Sequence, residues 1–65
     1  MISYEMREGA VVIKENFQEI ILDIPNLRQT IANIKASRET YATEEAYEAY
    51  LAMYQKALLF AENSA

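Results

Sequence analysis

MREGAVVIKENFQEIILDIPNLRQTIANI, residues Met6 to Ile34, is the stretch on whose reading the fold turns. Its apolar residues Met6, Ala10, Ile13, Phe17, Ile20, Ile24, Leu27, Ile31 and Ile34 recur in steps of four and three without a gap. That is the rhythm of helices packed side against side, with Ala10, Phe17, Ile24 and Ile31 at a positions and the others at d. One Gly and one Pro in 65 residues is sparse punctuation for a β protein, which needs a turn about every ten residues. The spacing predicts an all-α chain.

Local signals divide it into two to three helices at about 3–22, 24–37 and 43–62. Ser3 is a candidate N-cap for the first, with Glu5 near the positive helix end. Its weak spot is Gly9-Ala10-Val11-Val12, where Gly9 costs about 1 kcal/mol relative to Ala; residues 1–9 could be extended. At Pro25 the favoured reading is a break. Asp23 caps a new helix, Pro25 sits in its first turn, and Leu22 and Leu27 take the positions of a hydrophobic staple. The alternative is one Pro25-kinked helix, at a cost of about 3 kcal/mol. Ser37 to Ala42 reads as a connection. Thr43 then caps the third helix, Glu44 and Glu45 suit its first turn, and Asn63 ends it.

That third helix carries two ladders side by side. Ala46, Tyr50, Met53, Ala57 and Phe60 form one; Tyr47, Leu51, Tyr54, Leu58 and Ala61 form the other. So broad an apolar arc suits a helix with two neighbours. The expectation is a single all-helical domain over residues 1–65, a small coiled-coil-like bundle completed by dimerisation, with a tetramer as the alternative. A chain this short buries only about 60% of its unfolded surface, and small domains recruit disulfides, a metal or another chain. With no Cys and no His, disulfides, thiolate chemistry and imidazole-based metal sites are excluded. That leaves self-association or binding to a partner.

Composition narrows the function classes. The net charge of −4 divides into acidic flanks around a basic middle carrying Arg28, Lys35 and Arg38. Arg28 and Lys35 share a helix face and could touch phosphates, but a pI near 4.6 disfavours nucleic acid. No signal-like segment leads the chain, and no apolar run approaches the ~20 residues of a membrane span. A cytoplasmic protein without membrane contact is expected. Glu15 and Glu19, and Glu44 and Glu48, are pairs four apart that read as solvated faces. No cofactor and no metal site is expected. Lacking a Gly-rich phosphate loop or nucleophile elbow, the chain is not expected to be an enzyme.

Tyr47, Tyr50 and Tyr54 could form an aromatic groove, although such stripes are usually packing. The residues assigned to core and interface are Phe17, Ile20, Ile24, Leu27, Ile31 and Ile34 from the long ladder, and Tyr47, Tyr50, Leu51, Tyr54 and Leu58 from the third helix. The function expected is that of a self-associating protein–protein interaction module, a regulator of adaptor, chaperone or inhibitor type. A small dimeric DNA-binding transcriptional regulator is the alternative.

Overall fold

In the computed structural model, which describes residues 1–64, the stretch expected as the first helix is a β-meander. Strands β1 (Ile2–Arg7), β2 (Ala10–Glu15) and β3 (Gln18–Asp23) form an antiparallel sheet in the order β1-β2-β3. Helices α1 (Ile24–Ala36) and α2 (Glu44–Asn63) follow, joined through a short 3-10 turn at Arg38–Thr40. The protein is therefore a small α+β fold, and neither an all-α bundle nor a coiled coil.

Alternation of side chains explains why strands form here. Tyr4 faces Ile13 and Ile13 faces Ile20 across the sheet; Met6 faces Val11 and Val11 faces Leu22. These six residues line the face that meets the core, while Ser3, Glu5, Arg7, Lys14 and Glu19 alternate onto the other face. Six-residue strands joined by two-residue turns happen to set Met6, Ile13 and Ile20 seven apart on the core side. Two of the supposed a positions do not share that side. Ala10 lies on the opposite face, and Phe17 is in a turn.

Both turns use left-handed backbone. Glu8 (φ 52°) and Gly9 (φ 82°) join β1 to β2, the pair of positive φ values that matches a hairpin's twist. Asn16 (φ 53°) opens the second turn, with Phe17 beside it. The glycine read as a weak helix position is a hairpin residue.

The helices start where side chains can cap them. The Asn26 backbone N–H donates to Asp23 Oδ1 at 2.8 Å, and Pro25 lies in the first turn of α1, where its missing N–H has no intrahelical partner to lose. The chain thus changes from strand to helix at Asp23; no helix kinks through Pro25. The Ala46 N–H donates to Thr43 Oγ1 at 3.0 Å at the start of α2. Arg28 in the first turns of α1 meets Glu62 near the end of α2 at 3.2 Å, so the two helices run antiparallel. Contacts place α1 along β3, and α2 across β1 and β2.

This layout supplies the second neighbour that the broad arc of α2 needs. One flank meets α1 and the other meets the sheet of the same chain. The arc is satisfied within one copy, and it gives no argument for a second.

Candidate interaction surface

The residues assigned to core and interface separate into three groups. Leu27, Ile31, Ile34, Tyr47 and Tyr54 are buried in the core, and Ile20, Ile24, Leu51 and Leu58 pack half-buried against it. Phe17 is fully exposed at the β2–β3 turn, and Tyr50 is 46% exposed on α2. The first two groups hold the fold together; the third is free to meet something else.

Register places three of the free apolar side chains at one end of the sheet, while Ile21 lies on its outer face and Leu59 on α2. Ile2 pairs with Glu15, and Glu15 with Gln18, so this row closes the end of the sheet from which Phe17 projects. Met1 and Ile2 are exposed at that same end. On the helical side, the tyrosines cluster with one another. Tyr41 packs edge-on to Tyr47 (5.7 Å between centroids) and to Tyr50 (6.0 Å), and Tyr50 packs edge-on to Tyr54 (5.6 Å). Such arrangements set positive ring edges against negative faces. Arg38 lies 5.2 Å from the centre of the Tyr47 ring and pairs with Glu44.

Tyr54 links the tyrosines to the sheet end. Burial raises its pKa above the usual tyrosine value, and Tyr50, Tyr41 and the Glu15 carboxylate raise it further. Glu44 keeps the Arg38 guanidinium more firmly protonated by accepting its hydrogen bond. Glu15 thus lies within electrostatic reach of Tyr54, and Glu44, Glu45 and Glu48 occupy the first turns of the helix that carries Tyr50 and Tyr54.

The face of the sheet turned away from the helices has a different character. Val12 is fully buried there although it lies outside the main core cluster. Its cross-strand neighbours are Glu5 and Ile21. Around it, Lys14 pairs with Glu5, and Arg7 reaches Glu5 at 3.4 Å and Glu19 at 3.9 Å. The Lys14 hydrogen bond is the main reason the Glu5 carboxyl lies below the ordinary range. Long aliphatic stems crossing an apolar centre in this way cover it while their charges stay in water. This ring depends on sheet register, and the helical reading had set Glu15 and Glu19 on one face; the sheet puts them on opposite faces.

Among the described residues there is no pocket, no group of three acidic residues placed to hold a metal ion, and no helix long and apolar enough to cross a membrane. No protein-family model, curated protein or solved structure matches the chain.

Proposed function

We propose that this protein acts by binding other polypeptides, itself included, with no chemistry of its own. The observation that supports a binding role is Phe17. A fully exposed phenylalanine at a two-residue turn gives the fold nothing, since its ring contacts no core. Burying such a side chain against a partner is worth about 1.5–3 kcal/mol. Met1 and Ile2 are exposed at the same end of the sheet, and aromatic anchors of this kind dominate protein interfaces.

Charge suggests the partner's chemistry. Glu15 at the apolar end, and the chain's net charge of −4, would favour a segment in which aliphatic or aromatic residues stand next to Lys or Arg. Panning a displayed peptide library against the protein should enrich such sequences, and Phe17→Ser should bind them at least tenfold more weakly while melting within a few degrees of the parent. Enrichment without that preference, or undiminished binding by Phe17→Ser, would overturn the proposal.

A further inference from the structure

The sheet has two edges, and they are chemically unlike. In a two-residue hairpin the residues flanking the turn form a hydrogen-bonded pair, and bonded and non-bonded pairs then alternate. Arg7 and Ala10 close the first hairpin. Arg7, Glu5 and Ser3 therefore bond to β2, and the N–H and C=O groups of Ile2, Tyr4 and Met6 point outward. No other main-chain or side-chain group among the described residues bonds them. By the same count Glu15 and Gln18 close the second hairpin, and β3 points the groups of Glu19, Ile21 and Asp23 outward.

We infer that two copies of this chain associate by antiparallel pairing of β1 with β1, about a two-fold axis at Tyr4, to make a continuous six-stranded sheet. The inference rests on the proposal that the protein self-associates, and it names the surface. With the axis at Tyr4, Tyr4 faces Tyr4 of the second copy, Ile2 faces Met6, and Ser3 faces Glu5. All three outward N–H groups and all three outward C=O groups find partners, and no like charges are directly opposed. The closest like pair, Glu5 and its copy, is diagonal, and each Glu5 already lies beside Lys14 and Arg7 of its own chain. Ile2, 40% exposed on one copy, gains an apolar neighbour.

The equivalent pairing of β3 is opposed by charge. Centred on Ile21, it would set Glu19 opposite Asp23 twice, an unfavourable cross-strand arrangement. Asp23 is also committed to capping α1, which begins at the next residue. Acidic residues on an outer strand are a usual guard against edge pairing. β1 carries one acidic residue, Glu5, which is paired with Lys14 and Arg7 of its own chain and would face Ser3 rather than another acid.

Backbone N-methylation of Tyr4 in the chemically synthesised chain tests this directly, because it deletes an outward donor and leaves every side chain in place. The unmodified protein should scatter light at micromolar concentration with a mass near twice 7.5 kDa. The N-methyl-Tyr4 protein should be folded by circular dichroism and scatter as a single chain. N-methylation at Glu5, whose N–H faces β2, should unfold it. A folded N-methyl-Tyr4 protein that still dimerises places the interface elsewhere and leaves self-association standing. An unmodified protein that is monomeric removes self-association and this interface together. An N-methyl-Tyr4 protein that cannot fold would show that this N–H belongs to the internal ladder, and would overturn the register argument.

Discussion

Tyr4 joins the two layers of the molecule through separate parts of one residue. Its hydroxyl donates to the Met53 carbonyl of α2 at 3.2 Å, across 49 positions of sequence. Its ring packs against Phe60 at 6.0 Å, and its backbone faces the open edge of β1. Tyr4→Phe separates these roles, since it removes only the hydroxyl. A part-buried hydrogen bond contributes about 1 kcal/mol, and in a domain of this size that corresponds to a melting temperature lower by about 4–8 °C. The variant should keep the parent's mass in light scattering. A melting temperature equal to the parent's would mean that the hydroxyl is as well satisfied by water, and that ring packing alone fixes α2 over the sheet.

The elements differ in how visible they are in the sequence, and the reason is the range of the signal. Asp23 and Thr43 mark helix starts by accepting from the N–H three residues on, and Pro25 by sitting in a first turn, so the beginnings of α1 and α2 are legible locally. The sheet is not, because its hairpins place Met6, Ile13 and Ile20 at a spacing of seven, which a helical seam also produces. Only the alternation of Tyr4 and Met6 with Ser3, Glu5 and Arg7, and the branched run Val11-Val12-Ile13, speak for strands. The first turn is hidden further because Glu8 is a poor residue for its conformation. A left-handed non-glycine residue costs about 1–2 kcal/mol, and Asn tolerates that region better. Glu8→Asn should therefore stabilise the β1–β2 hairpin by about 0.5–1 kcal/mol, read as a higher urea midpoint with unchanged slope; a lower midpoint would mean that the turn does not adopt the left-handed pair. The free surface was half legible for the same reason. Phe17 and Tyr50 stand out by residue type, but helical spacing assigned them to packing, and only strand register moves Phe17 to a turn and brings Met1 and Ile2 to the same end.

For the molecule as a whole, the ionisable groups define a stability plateau with two unequal shoulders. Glu5 titrates below its ordinary value of 4.5 because Lys14, and then Arg7, stabilise its charged form. Its contribution is present above that value and is lost as pH falls through the lower, folded pKa. Because the group and both cations are solvent-exposed, the acid shoulder should be shallow and should fade further in high salt. Tyr4 and Tyr54 act in the opposite direction. Burial raises both above 10.0 by disfavouring the phenolate, so the folded chain holds protons that the unfolded chain releases, and stability is lost as pH rises through 10.0 toward the folded values. Urea midpoints measured from about pH 6 to pH 11 should be flat to about pH 9 and fall beyond it. Combining Tyr4→Phe with Tyr54→Phe should lower the plateau, through the lost Met53 hydrogen bond, and flatten the alkaline fall. If the double variant falls as steeply as the parent above pH 10, the alkaline loss arises elsewhere, and the contact between the sheet and α2 does not depend on these two phenols staying neutral.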